Sequence, residues 1–323
     1  MRLFIDATVF LSFYEYTNET LTELNKLCVL IESKRIELLL PQQVVDETWR
    51  RRSGVLSSSF AQFKERVQLP FPSYCRNQGR YTSVQAALDN LRDSHRQMID
   101  DVREAISRDE LGADRLLKQL FGLANQLERT PQLMAAARER VELGNPPGKR
   151  GSIGDAVNWE ALMAAVPRRE PLFFISGDSD FASPLSKELP NEFLRHEWTQ
   201  RKESELHFYT TLSRFFESHE QFKGIDLERE SEKARLIQEL ARSPNFSMTH
   251  ALIARLSTFE DFTSEQVAEL VEILLTNRQV HWILEDRDVS QFYRAIARTD
   301  EYGRYVESRG QDPLGEALAN GGV

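Results

Sequence analysis

The amino-acid sequence predicts an α/β layered fold with a helical insertion and an all-helical C-terminal region. Strand-like and helix-like patterns alternate over the first 50 residues, which is typical of α/β domains. A charged stretch at about 60–142 contains no clear strand pattern, and the sequence after about residue 220 contains only helical patterns. With 323 residues the chain is long enough for two domains, so we expect one at 1–220 and a helical one at 221–323.

The first 50 residues contain four predicted elements. The apolar run Arg2 to Ile5 ends at Asp6 and indicates a buried strand, and a helical pattern follows over 20–33. A second apolar run, 36–40, predicts another strand. Pro41 closes that run and suits the first turn of a helix, which we expect over 42–51.

The insertion at 60–142 is rich in charged residues and helix formers, and we expect amphipathic helices there. A Pro/Gly-rich loop then precedes a helix predicted over 152–166. The run 171–176 is the clearest buried strand, and we expect it to be the last. The C-terminal region shows helical patterns at 251–256, 264–275 and 289–297.

Charge and composition exclude several classes of protein. The chain has 41 Lys+Arg and 50 Asp+Glu, a net charge of −9, which disfavours a general polyanion binder. The segment 221–323 carries 12 of these basic and 18 of these acidic residues, so most of the acidity lies outside the α/β part. Two cysteines provide no disulfide framework, so we expect a cytoplasmic protein. No apolar run approaches the ~18 residues of a membrane span, and Asp6 ends the first run too early for a signal peptide.

Acidic residues follow the predicted strands. Asp6 ends the first, and Asp178 and Asp180 follow the last, while Glu47 and Asp155 lie near predicted helix starts. The carboxyl ends of parallel strands are where functional groups collect in open α/β sheets. Carboxylates that converge repel one another unless a hard cation such as Mg²⁺ or Mn²⁺ neutralises them. The pattern therefore indicates one or two divalent ions and phosphodiester hydrolysis.

Each acid also has a structural interpretation. Asp155 fits a Ser-x-x-Asp capping box, Glu47 fits a solvated helix face, and Asp178-Ser-Asp180 fits a turn. Asp6 is harder to explain in this way, because a buried strand end is a poor place for an unpaired charge. The order of the acids along the chain favours the functional interpretation.

That order resembles the PIN-domain family of metal-dependent nucleases over residues 1–215. The shared landmarks are a strand running into Asp6, a Pro-x-x-Val helix start before Glu47, an acid at a helix start (Gly-Asp155-Ala), and Ser176-Gly-Asp178-Ser-Asp180-Phe. The stretch Asn-Pro-Pro-Gly-Lys-x-Gly-Ser-Ile-Gly-Asp-Ala, which ends just past Asp155, is similar to a larger PIN subgroup with a helical insertion before the third acid.

The resemblance implies a three-layer α/β/α domain with a central, mostly parallel sheet. It implies a catalytic set of Asp6, Glu47, Asp155, Asp178 and Asp180, with Asp6, Glu47, Asp155 and Asp178 as metal ligands. Many members have Asn two residues after the first acid, where this chain has Thr8. We expect Thr8, Asn158 and Ser176 to act as polar partners of the ligands.

Two basic clusters adjoin the predicted ligands and are candidates for phosphate contact. They are Arg50, Arg51 and Arg52 after Glu47, and Lys149 and Arg150 before Asp155. Trp49 or Tyr74 could stack on exposed bases. The six histidines show no metal-ligand spacing.

The resemblance favours an endoribonuclease and allows a toxin or defence role, with a regulatory protein or antitoxin as partner and homo-oligomers formed through 221–323. One alternative is a catalytically silent PIN scaffold that binds RNA or a partner. Another is a Toprim-like or structure-specific DNA nuclease, but a Toprim fold expects Glu where this chain has Asp6. A dehalogenase-like phosphatase fits worse, because Thr8 occupies the place of its second Asp.

Overall fold

The computed structural model describes residues 1–17, 20–65, 69–148, 152–222 and 226–320. These residues form five β-strands, sixteen α-helices and two short 3₁₀ helices, at Ser73–Asn77 and Glu220–Phe222. The strands are β1 Arg2–Ile5, β2 Glu37–Pro41, β3 Asn125–Leu127, β4 Leu172–Ile175 and β5 Leu206–Tyr209. The helices are α1 Ala7–Ser12, α2 Leu21–Glu32, α3 Gln42–Phe63, α4 Tyr81–Ser107, α5 Gly112–Leu123, α6 Pro131–Glu142, α7 Gly154–Ala165, α8 Glu192–Lys202, α9 Leu212–Glu217, α10 Leu227–Ala241, α11 Phe246–Leu256, α12 Ser264–Thr276, α13 Arg278–Trp282, α14 Arg287–Ile296, α15 Asp300–Arg309 and α16 Pro313–Asn320.

The strands form one sheet in the order β3-β2-β1-β4-β5, and the pairs β2–β3, β1–β4 and β4–β5 run parallel. β1 lies at the centre, and its residues are buried apart from partly exposed Arg2. Ile5 is aligned with Ile175, the last residue of β4. The first residues after β1 and β4 therefore lie next to each other at the carboxyl ends of these strands. The α/β architecture predicted from the sequence is confirmed.

The sequence prediction missed two strands. β3 lies in the segment predicted to contain only helices, and β5 follows β4, which was predicted to be the last strand. β3 has only three residues, and Asn125 and Gln126 are exposed. β5 is partly exposed at every position, so it shows no alternation between apolar and polar residues. Both lie at the edges of the sheet, where strands have less to bury.

Most predicted helices are present with small changes at their ends. α2, α7, α11, α12 and α14 coincide with predicted segments. α3 begins at Gln42 as expected but continues to Phe63, well beyond the predicted end at residue 51. Its N-cap is Pro41. Proline has no backbone N–H, and at the start of a helix that N–H would have no partner within the helix.

The chain divides into two compact units. One comprises Arg2–Asn25 and Leu38–Ser218, and the other comprises Met1, Lys26–Glu37 and His219–Val323. The segment Lys26–Glu37 thus belongs with the C-terminal helices, whereas the sequence predicts a single domain boundary near residue 220. Arg35 accounts for part of this grouping, because its guanidinium donates to Glu230 and to Asp261.

The C-terminal unit has its own apolar core. Residues of α10, α11, α12 and α14 fill it, with Leu236, Ile253, Leu270 and Tyr293 among its fully buried members. No helix within the described residues is long and apolar enough to cross a membrane.

Candidate metal centre

Asp6 occupies the junction between β1 and α1. Its backbone N–H donates to the Ile175 carbonyl at 2.9 Å, which continues the pairing of β1 with β4. Asp6 is also the N-cap of α1, and its carboxylate accepts from the Thr8 N–H at 3.3 Å. The Asp6 side chain is therefore fixed by the strand and by the helix that follows it.

The Asp6 carboxylate is buried, with 3% of the residue exposed. Its Oδ2 accepts hydrogen bonds from the Thr8 hydroxyl and, at 3.2 Å, from the Ser176 hydroxyl. In the described part of the chain no cationic side chain pairs with it. Burial raises its pKa, the hydrogen bonds from Thr8 partly offset that rise, and the charges of Glu47 and Asp178 add to it.

Asp155 lies in the first turn of α7. The N-cap of this helix is Ile153, which offers no side-chain cap, so the capping-box interpretation of Asp155 does not apply. Burial and the charges of Asp6, Asp178, Glu47 and Asp180, in that order, raise the pKa of Asp155 to about 7. Four other acids thus act on this carboxylate.

Glu47 approaches the start of α7 from α3. A Cβ placed on Gly154 would lie 3.7 Å from Glu47 Oε2 and 2.8 Å from the Gln43 amide nitrogen. Gly154 therefore lets the two helices approach closely. Glu47 also accepts from Arg51 Nη1 at 2.9 Å, one turn along the same helix.

The loop after β4 supplies the remaining acids. The Asp178 N–H donates to the Ser176 hydroxyl at 3.0 Å, and the Asp180 N–H donates to Asp178 Oδ1 at 2.9 Å. The segment thus forms the turn that its sequence suggests. The Asp178 and Asp180 carboxylates can still contribute negative charge from within this turn. Ser176 links the loop to Asp6, because its hydroxyl donates to one acid and accepts from the backbone of the other.

The other four predicted acids act on Asp155, two of them also act on Asp6, and the chemistry of the set fits a hard divalent cation. Carboxylate oxygens are the ligands that Mg²⁺ and Mn²⁺ prefer. Burial and, after it, repulsion from other acids raise the pKa of Asp6 and Asp155, and a cation would favour the charged form of both. As the side chains stand, no three His, Cys, Asp or Glu residues in the described ranges have the geometry to hold a metal ion. The fit therefore rests on the donor chemistry and the charge.

Asn158 adds an independent observation. It lies one turn after Asp155 on α7 and is fully buried, yet neither its amide nitrogen nor its amide oxygen has a hydrogen-bond partner among the described residues. Buried polar groups nearly always have a partner. The expected hydrogen bond from Asn158 to one of the predicted metal-binding acids is thus not formed. Both amide atoms remain able to form hydrogen bonds with a group bound at the site.

The three arginines of the predicted basic cluster after Glu47 lie in three different environments. Arg50 is exposed, and Arg51 is paired with Glu47. Arg52 is buried and forms two 2.6 Å hydrogen bonds with the fully buried Asp114, so its prediction as a phosphate-binding residue is corrected. Lys149 and Arg150 lie outside the described residues.

The two candidate stacking residues also differ. Trp49 packs edge-to-face against Phe121, which indicates a packing role. Tyr74 is exposed.

Two buried ion clusters were not foreseen from the sequence. In the first, Tyr14 joins Arg52 at Asp114. In the second, Arg140 donates to Glu160, Glu197 and the Pro146 carbonyl, and so ties the loop before α7 to α7 and α8. The partners are separated by up to 100 residues in the first cluster and 57 in the second, so no local sequence pattern could have indicated them.

The fold and these acids define an α/β domain with a carboxylate cluster at the carboxyl ends of parallel strands. A family model described as PIN domain matches residues 3–181, which is more than half of the chain. The chain therefore belongs to the PIN-domain family. No curated protein and no solved structure matched it.

Proposed function

We propose that this protein is a metal-dependent endonuclease that hydrolyses phosphodiester bonds, with RNA as the expected substrate. PIN domains are generally nucleases, and they typically use divalent metals. The observation that carries the proposal is the state of Asp6 and Asp155. Neither carboxylate has a cationic partner among the described residues, and burial together with other acids raises the pKa of both.

The proposal assigns a role to each acid. Asp6, which is buried, and Asp155, which is partly buried, would be the central ligands, because neither has a cationic partner among the described residues. Glu47 and Asp178 would complete the set directly or through water, with Asp180 as the alternative to Asp178. A bound Mg²⁺ or Mn²⁺ supplies activation of water and stabilisation of the leaving oxygen.

The remaining residues would hold the acids in place. Thr8 and Ser176 fix the Asp6 carboxylate by hydrogen bonds, and Ser176 also holds the backbone of Asp178. Arg51 would orient Glu47. Arg50, together with Lys149 and Arg150, is the proposed phosphate-binding set, and Tyr74 is an exposed ring for base stacking.

Cleavage of labelled RNA and DNA tests the proposal. The wild-type protein should cleave RNA with Mn²⁺ or Mg²⁺ and lose activity in EDTA. Asp6→Asn and Asp155→Asn should each lower the rate by at least about a hundredfold, because removing a ligand removes the cation's contribution. Asp101→Asn, which removes an exposed carboxylate on α4, is the matched control and should retain activity.

Two outcomes would contradict the proposal. Cleavage that persists in EDTA, or that both ligand variants retain in full, would exclude this mechanism. Absence of cleavage together with absence of Mn²⁺ binding would favour a PIN scaffold that binds RNA or a partner without cutting it.

Family analogy extends the proposal to biological context. A toxin or defence role, restraint by a regulatory protein or antitoxin, and homo-oligomers formed through 221–323 are consistent with a nuclease that carries an added helical domain. We also propose a cytoplasmic location, because two cysteines, Cys28 and Cys75, provide no disulfide framework.

A further inference from the structure

The C-terminal unit exposes an aromatic pair. Trp282, the last residue of α13, is 63% exposed, and Phe246, the first residue of α11, is 43% exposed. Their ring centroids are 6.4 Å apart at 67°, an edge-to-face contact. Trp159 and Trp198, by contrast, are completely buried. A large ring left in water against a second exposed ring indicates a binding surface.

The core of the unit does not need these two rings. Val280 and Ile283 are the buried side chains that pack the α13 region into the core. Leu252 and Ile253 do the same for α11. Trp282 and Phe246 therefore add apolar area that the folded unit leaves on its surface.

Two arginines adjoin the aromatic pair. Asn277, the N-cap of α13, donates its amide to the Leu240 carbonyl at 2.9 Å and to the Ser243 hydroxyl at 3.1 Å. These bonds hold the α10–α11 loop beside the start of α13. Arg242 lies in that loop between the two contacted residues, and Arg278 directly follows Asn277.

Both guanidinium groups are available. Arg242 and Arg278 are exposed, and neither guanidinium has an ion-pair or hydrogen-bond partner within the ranges that the structure describes. Arg278 precedes Trp282 by one helical turn, so the two share one side of α13. Glu285, three residues beyond Trp282, introduces negative charge past the aromatic end of the helix.

We propose that Arg242, Phe246, Arg278 and Trp282, here called the aromatic–arginine surface, bind single-stranded nucleic acid. Rings that stack on unpaired bases and cations that contact the backbone are the two elements of such sites. A protein partner would use the rings but would not require two unpaired cations beside them. The proposal goes beyond the cleavage function, because it concerns strand binding in the helical unit and holds whether or not the acids cleave.

Binding of short oligonucleotides to a cleavage-disabled chain tests the proposal. The full chain with Asp6→Asn and Asp155→Asn is titrated in EDTA into labelled 12-nucleotide single strands of RNA and, in a second arm, DNA. Trp282→Ala should weaken binding by about 5- to 100-fold, as expected for loss of one stacking ring, whereas Trp282→Phe should retain most of it. Tyr16→Ala, which removes an exposed ring of the other unit, is the matched control and should bind like the parent.

Salt dependence provides a second readout. Arg242→Ala with Arg278→Ala should lower the slope of log affinity against log salt by about 1.4, the value expected for two lost contacts to a single strand. Equal binding by the parent and by all surface variants, or equal affinity for a duplex of the same length, would overturn the proposal. Absence of oligonucleotide binding would also overturn it and leave a protein partner as the explanation of the exposed rings. Because cleavage is disabled throughout, the comparison of the surface variants with the parent does not depend on whether the acids cleave.

Discussion

Ser176 and Asp6 lie at the ends of the neighbouring parallel strands β4 and β1, and the Ser176 hydroxyl donates to the Asp6 carboxylate at 3.2 Å. The same hydroxyl accepts from the Asp178 N–H at 3.0 Å. One side chain thus joins the first acid of the site to the loop that carries the last two. The pairing of β1 with β4 is what brings residues 170 positions apart into this contact.

Ser176→Ala should impair cleavage much more than folding. The variant loses one hydrogen bond to Asp6 and one from Asp178, so the free energy of unfolding should fall by about 1–2 kcal/mol. We expect kcat to fall by about tenfold or more, because both acids lose a positioning contact. Initial rates with Mn²⁺ and urea unfolding measure the two effects, and Ser308→Ala on the exposed face of α15 is the control. An unchanged rate would show that Ser176 is not a positioning residue.

Gly154→Ala should reduce activity by displacing Gln43. The added Cβ would lie 2.8 Å from the Gln43 amide nitrogen, so that flexible side chain must move beside Glu47. We expect a stability change below about 1 kcal/mol and a several-fold loss of cleavage rate. The double variant Gly154→Ala with Gln43→Ala should recover activity, since it removes the clash. Failure of the double variant to recover would mean that the loss arises elsewhere.

Replacing one partner of the Arg52–Asp114 pair should strongly destabilise the N-terminal unit. Arg52→Ala leaves the fully buried Asp114 with Tyr14 and the Leu111 N–H as its remaining donors, and should cost about 3–5 kcal/mol in urea unfolding. Arg52→Met with Asp114→Leu should recover much of this loss, because it leaves no unpaired charge. If Arg52→Ala were as stable as wild type, the assignment of a structural role to Arg52 would be wrong.

The same pair predicts a pH dependence. Burial alone would raise the pKa of Asp114, but hydrogen bonds from Arg52 and Tyr14 outweigh it and lower the pKa below its usual value of 3.8. The pair's contribution is therefore complete above about pH 4 and is lost as pH falls through the lowered pKa. The difference in stability between wild type and Arg52→Ala should thus shrink below pH 4 in unfolding measured across this range.

Arg50 and Arg51 should behave differently when each is changed to alanine. Arg50 is exposed, so Arg50→Ala should lower the salt slope of RNA binding by about 0.7 per lost phosphate contact. Arg51 is paired with Glu47, so Arg51→Ala should instead change the Mn²⁺ concentration that cleavage requires. Arg138→Ala, which removes an exposed cation on α6, is the control for both measurements. An unchanged salt slope in Arg50→Ala would remove Arg50 from the proposed interface.

The parts of the fold that were predictable are those in which burial leaves a local pattern. β1, β2 and β4 are central strands with continuous apolar residues, and Asp6 and Asp178 follow β1 and β4 in the sequence. β3 and β5 were not predictable because partly exposed edge strands show no such pattern. The burial of Arg52 was also not predictable, because its partner Asp114 lies 62 residues away. A row of three arginines does not show which of them points inward.

Burial of Asp155 and its repulsion by the other acids affect the stability of the metal-free protein. Because the pKa of Asp155 is about 7 in the folded protein and 3.8 ordinarily, folding disfavours its charged form. The metal-free protein should therefore lose stability as pH rises from about 4 to 7 and remain less stable above that range. The full shift corresponds to about 4 kcal/mol, and solvent screening reduces the expected penalty to about 1–3 kcal/mol.

Thermal unfolding of wild type and Asp155→Asn at pH 8, in EDTA and then with Mn²⁺, tests whether the acids that follow the strands form a metal centre. In EDTA the variant should unfold at the higher temperature, because it lacks the repelled charge. Mn²⁺ should raise the unfolding temperature of wild type and leave that of Asp155→Asn nearly unchanged, because only wild type retains the complete ligand set. If Mn²⁺ stabilised both proteins equally or neither of them, the acids that follow the strands would not form a metal centre.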